Sequence, residues 1–140
     1  MRRAPAVIAL AVIVLLSPVA AWWIVGDRSE TSPGAVDHSF RPLPLTPAQE
    51  AAAGWGAIAV WVTALGVVGV ALRRQDLGAR LVRAAVPLVA AGAFCGAAWR
   101  VMTAGVIGAN IGAGMVFLVA PVFVPGMVAV SVAIWRRDDD

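Results

Sequence analysis

Four stretches of the chain are almost wholly apolar, and a short polar or glycine-rich break follows each of the first three. They run from Ala4 to Val25, Pro47 to Leu72, Leu81 to Met102 and Gly108 to Trp135. Each is near the roughly 20 residues that an α-helix needs to cross a hydrocarbon core about 30 Å thick. Without water to satisfy peptide groups, such a run must close its hydrogen bonds internally as helix. The pattern predicts an all-α integral membrane protein, a four-helix bundle forming a single membrane domain, with N and C termini cytoplasmic.

The breaks carry the local signals. Residues 26–46 are rich in Gly, Ser, Thr and Pro and show neither helical nor strand periodicity. They read as an extracytoplasmic loop, too short to bury a core alone, with Phe40 and Leu43 available to press onto the bundle. Thr46-Pro47-Ala48-Gln49 is a helix start: Thr46 caps, Pro47 fits the first helical position, and Gln49 completes a capping box. Residues 73–80 form a short basic linker, and the uncharged stretch from Val101 to Asn110 reads as an interfacial hairpin. The first segment has a competing reading as a cleaved signal peptide, because a basic start precedes an apolar core and Val19-Ala20-Ala21. Its length and the Trp22-Trp23 pair, well placed as an interfacial anchor, favour retention as a helix, with Pro18 kinking its last turns.

Composition then narrows the class. Only 14% of the 140 residues are charged and 61% are hydrophobic, whereas a soluble domain carries about a quarter charged residues. That excludes a soluble enzyme, a nucleic-acid-binding domain and a secreted disulfide scaffold. The net charge of +3 is an asymmetry across the bilayer, not a nucleic-acid signal. Arg2, Arg3, Arg73, Arg74, Arg80, Arg83, Arg136 and Arg137 fall on one side and only Arg28, Arg41 and Arg100 on the other. Short loops rich in basic residues stay cytoplasmic, which sets the orientation. All eleven basic residues are arginine, and together with heavy use of Ala, Val, Gly and Pro this matches a GC-rich genome.

Helices in lipid associate by close packing of small residues. In the second segment Ala52, Gly56, Ala59, Thr63, Gly66 and Val70 make one narrow stripe, with Trp55, Ile58, Val62 and Leu65 on another face toward lipid. Gly92 and Gly96 in the third segment, and Gly108 and Gly112 in the fourth, repeat the small-xxx-small spacing. Packing within the bundle is the first expectation for these positions; a seam left over for a partner or a second copy is the sharper one. Pro121 and Pro125-Gly126 break the fourth segment and free the carbonyls of Phe117 and Pro121. Such breaks can line a transport path, although ordinary kinks are common in membrane helices.

Polar chemistry is scarce. With Glu50 in the first turn of its helix, no Asp, Glu, Lys or His falls inside a span, which argues against proton-coupled transport. Arg100 is the one arginine attached to a helix end on the loop side. The expected partners in this outer polar cluster are Asp27 or Glu50, with Thr103 and Asn110 nearby. Bis-histidine haem ligation, thiol–disulfide exchange and serine or cysteine hydrolysis lack their second group: His38 lies in a loop, and Cys95, Ser17 and Ser131 have no adjacent base. Asp27, Glu30, Asp37 and His38 match no metal-site spacing and read as a solvated loop. No cofactor is expected. The expected partners are the lipid bilayer and a larger membrane protein or a second copy of the chain, not nucleic acid. The leading functional expectation is a non-enzymatic accessory, assembly or scaffold subunit. A small oligomeric transporter or channel, its path lined by the kinked fourth helix, is the alternative. An enzyme using Asp27, Asp37 and His38 ranks last.

Overall fold

A computed structural model describes residues 3–26, 39–105 and 109–137. Four helices follow in order: α1 (Arg3–Val25), α2 (Pro47–Arg73), α3 (Ala79–Thr103) and α4 (Ala109–Arg136). All four are long and apolar enough to cross a membrane, and no strand occurs among the described residues. The sequence pattern locates every helix to within two residues at each end. Continuous apolar runs carry that information directly, because in lipid each run must become a helix.

Local chemistry sets the helix ends. At the start of α2, Gln49 N–H donates to Thr46 Oγ1 at 3.3 Å and Thr46 N–H donates to Gln49 Oε1 at 2.8 Å. Two N–H groups that the helix leaves unbonded are thereby satisfied, as the capping-box sequence predicts. The other end of α2 closes in a Schellman motif. There Gln75 N–H donates to Leu72 O and Asp76 N–H to Ala71 O, with Gln75 in the left-handed region at φ 59. A side chain is strained there, whereas glycine is not. Replacing Gln75 by glycine is therefore expected to stabilise the protein by ~0.5–1 kcal/mol, read as a higher melting temperature in detergent; a β-branched Val there should lower it. Leu77, just beyond the turn, is buried beneath the helices and closes the core at this end.

The helices pack in the spatial order α2–α1–α3–α4. α1 lies between α2 and α3, and α4 rests on α3; no other pair is in extensive contact among the described residues. Chain order and spatial order therefore differ, and α1 is the central member. Its buried residues, Ala6, Ala9, Leu10, Ile13, Ser17 and Ala20, serve two neighbours at once.

On the α3 side, Gly92 and Gly96 let the backbones approach. A Cβ at Gly92 would run into Ser17 Oγ, and one at Gly96 into the Pro18 backbone. Pro18 lacks the N–H that would bond Val14 O, and Ser17 Oγ donates to that carbonyl at 2.8 Å instead. The proline's cost is offset in place, and α1 continues through it as helix to Val25.

On the α2 side the packing expectation needs correction. Gly56, Thr63 and Gly66 are exposed, and neither glycine has anything within contact distance of an added Cβ. α2 meets α1 through another face, where Gly54, Ala57, Ala64, Val68 and Ala71 are buried. Two features select it. Trp61 Nε1–H donates to Ile13 O at 3.0 Å, a bond that lipid cannot supply, and Trp23 sits where a side chain at Gly54 would be. Both faces carry small residues three and four apart, but only one satisfies an indole N–H.

α4 is the peripheral helix. Of its described side chains only Ala113 and Ser131 are buried. Ser131 Oγ donates to Ala84 O of α3 at 2.6 Å, and Phe94 and Phe123 lie 4.8 Å apart between ring centres. A Cβ at Gly112 would lie 2.9 Å from Val101 Cγ1, so this glycine does serve helix contact. Gly108 lies outside the described residues. Pro121 and Pro125 are exposed, and Gly126 has open space about its Cα; within one copy of the chain they line no path between helices. Cys95 is exposed near the middle of α3.

Candidate functional site

The ends of α1, α2 and α3 converge at the loop end of the bundle, and Arg100 fills the space between them. It stands in the last turn of α3, where a cation interacts favourably with the helix C-terminus. Only 9% of the residue is exposed. Its Nε–H donates to Gly26 O at 2.9 Å, where α1 has ended and Gly26 adopts φ 70. Nη1 donates to Glu50 Oε1 at 3.4 Å, from the first turn of α2. The guanidinium carbon also lies 5.1 Å from the centre of the Trp22 ring, within cation–π range. One side chain thus holds the ends of three helices.

Aromatic rings wall this cluster. Trp22 and Trp23 are 6.3 Å apart, and Trp23 meets Trp55 edge-on at 6.1 Å. The loop arrives from the other side. Phe40 N–H donates to Met102 O at 3.2 Å, and the Phe40 ring lies 6.1 Å from Phe117 of α4. Phe40 touches the bundle at its edge and remains exposed, as does Leu43. Thr103 is buried beside Arg100 and donates back to Trp99 O at 2.8 Å.

Of the residues expected in the outer polar cluster, Glu50 and Arg100 form an ion pair. Asp27 lies outside the described residues. Asn110 belongs to the first turn of α4, and its side chain is likewise outside them. The loop residues Glu30, Asp37 and His38 are not described either. Charge and spacing do not point to Gly26 or Trp22, because a backbone carbonyl and a ring face leave no charge pattern in a sequence.

The arrangement is suited to holding helices together. Arg100 has no second cationic or nucleophilic group among its described contacts, and its three interactions point in three different directions. Replacing Arg100 by Gln is expected to cost about 2 kcal/mol, the weight of charge-assisted hydrogen bonds at a partly buried site. Thermal unfolding in detergent should show a drop of several degrees. Glu50→Gln should cost less, because the Gly26 carbonyl and the Trp22 ring remain. An unchanged melting temperature for Arg100→Gln would exclude the structural role.

A second basic–aromatic contact lies at the opposite end, where Arg80 Cζ is 5.3 Å from the centre of the Trp135 ring. Between these two ends the spans carry few polar side chains, and those described are turned into backbone bonds: Ser17 to Val14, Thr63 to Ala59, Ser131 to Ala84. No protein family, curated protein or solved structure matches the chain.

Proposed function

We propose that the chain is a non-enzymatic accessory subunit of a larger membrane assembly, docked side by side with a partner's helix through α2. The observation that carries this reading is the outward stripe of Gly56, Thr63 and Gly66. It has the small-residue spacing by which membrane helices approach closely, yet α1 is bound through a different face. Thr63 Oγ1 donates to Ala59 O at 2.8 Å, so the stripe presents no unbonded hydroxyl hydrogen to lipid. The scarcity of titratable groups in the spans supports a structural task over a chemical one.

The distribution of arginines supports a cell-membrane location, inner where there are two, with both termini cytoplasmic and residues 26–46 outside. Lys and Arg in short loops set such orientations, and the eight-to-three division of arginines is strong for so short a chain.

Association and folding separate in one experiment. Gly66→Leu places a large side chain on the stripe, in open space. The melting temperature of the purified protein should stay within a degree or two. In native membranes, a photo-crosslinker at Thr63 should trap one larger membrane protein in stoichiometric yield, and Gly66→Leu should abolish that product. A crosslinked homo-oligomer that also carries solute across liposomes would replace this reading with the transporter alternative, in which Pro121, Pro125 and Gly126 of neighbouring copies face one another. Crosslinks indifferent to Gly66→Leu would overturn docking through α2.

A further inference from the structure

Val19-Ala20-Ala21, directly after Pro18 and a long apolar stretch, resembles the small-residue site at which a membrane-bound signal peptidase cuts. In the folded chain this segment is neither extended nor free. α1 runs through it as helix to Val25, and Ala20 is buried. We propose that Ala21–Trp22 is a masked signal-peptidase site, closed by the docking of α3 and cut in chains where α3 fails to dock.

α3 grips the bond from both sides. Upstream, Gly96 lies against the Pro18 backbone and Gly92 against Ser17, so closely that neither position has room for a Cβ. Downstream, the Arg100 guanidinium carbon lies 5.1 Å from the centre of the Trp22 ring, and Arg100 Nε–H donates to Gly26 O at 2.9 Å. α2 touches this end of α1 at Trp23, against Gly54; the hold on Pro18 and Trp22 belongs to α3. A helical carbonyl is tied to the N–H four residues on, whereas a protease takes its substrate extended. About two turns of α1 must therefore unwind, from Pro18 to Val25, and unwinding gives up the contacts with α3.

Without α3 the same segment is poised to open. Pro18 leaves Val14 O without a backbone donor, and the Ser17 hydroxyl stands in for it. α1 ends at Val25, about one turn beyond the bond, and helix ends open more readily than their middles. In the cut, water adds its hydroxyl to the Ala21 carbonyl carbon and a proton to the Trp22 nitrogen as the C–N bond breaks. Residues 1–21 then leave with all six buried positions of α1, so refolding cannot restore the bundle. Access in the cell rests on the outward placement of residues 26–46 proposed above, because signal peptides are cut on that side.

The test uses the full chain in detergent with a purified bacterial signal peptidase, so it depends neither on orientation nor on a partner of α2. A secretory precursor in the same tube reports that the enzyme is active. Wild type should be the slowest substrate. Gly96→Val should release residues 1–21, with Trp22 as the new N-terminus by mass spectrometry. Arg100→Gln, which loosens α1 without adding bulk, should be cut roughly thirtyfold faster than wild type, equivalent to ~2 kcal/mol at 1.4 kcal/mol per tenfold, because proteolysis follows the open population. Adding Ala21→Leu to Gly96→Val should abolish the cut, since the site needs a small residue before the bond. Equal cutting of wild type and both single variants, an intact Gly96→Val chain beside a processed precursor, or a cut that survives Ala21→Leu would overturn the proposal.

Discussion

Gly96→Val is expected to abolish the folded bundle. A Cβ at Gly96 meets the oxygen, carbon and Cα of the Pro18 peptide, and backbone atoms cannot rotate out of the way as a side chain can. Either α1 and α3 move apart along their whole contact or α3 distorts. Overpacking of this kind costs about 1–3 kcal/mol for a few displaced side-chain atoms and more when backbone must shift. Even Gly96→Ala should lower stability by ~2–4 kcal/mol, read as a lost or strongly lowered cooperative melt in detergent. Gly114→Ala is the control. Its added Cβ meets nothing, so the same change of residue should leave the melt unmoved or slightly raised. If Gly96→Ala and Gly114→Ala behaved alike, close approach at Pro18 would not hold the bundle together.

The second large effect is expected from removing α1. α2 and α3 are not in extensive contact with one another, and each packs on α1. Without α1, Trp61 Nε1–H loses its acceptor at Ile13, Gly92 and Gly96 lose their partner, and Arg100 loses the Gly26 carbonyl and the Trp22 ring. A chain beginning after residue 26 should insert as helices yet show no cooperative unfolding transition, with α2 readily proteolysed from α3–α4. This bears on the resemblance of the first segment to a signal peptide. Cleavage after Ala20 or Ala21 would remove all six buried positions of α1. Intact-mass measurement on membrane-extracted protein is therefore expected to retain α1. A mature chain lacking it, with an unchanged melt, would refute the central role argued for that helix.

The spans were legible because lipid allows an apolar run few alternatives. The packing was legible only in part. Gly92 and Gly96 could be picked out as a contact, but their partner could not, because Ser17 and Pro18 lie far away in the chain and look like an isolated kink. In α2 two small-residue faces compete, and spacing alone favours Gly56, Thr63 and Gly66. What reversed the choice was Trp61, whose single N–H donor must be satisfied inside the membrane. A tryptophan near mid-span is a signal that was available in the sequence. Arg100 could be named as unusual and Glu50 as a partner, since opposite charges at matched depths attract. The Gly26 carbonyl became an acceptor only through the way α1 ends, which charge and spacing do not encode.

The central place of α1 also has a consequence in time. Its two packing surfaces are completed by segments synthesised at different moments: α2 follows soon, but α3 is finished only after nearly 80 further residues. At about 5–20 residues per second, the surface around Ser17 and Pro18 waits on the order of 4 to 16 s for Gly92 and Gly96. During that interval the nascent hairpin of α1 and α2 lies in the bilayer with one flank bare. Biogenesis of this protein therefore has a window in which lipid, an insertion factor or a wrong helix can occupy the place that α3 will take.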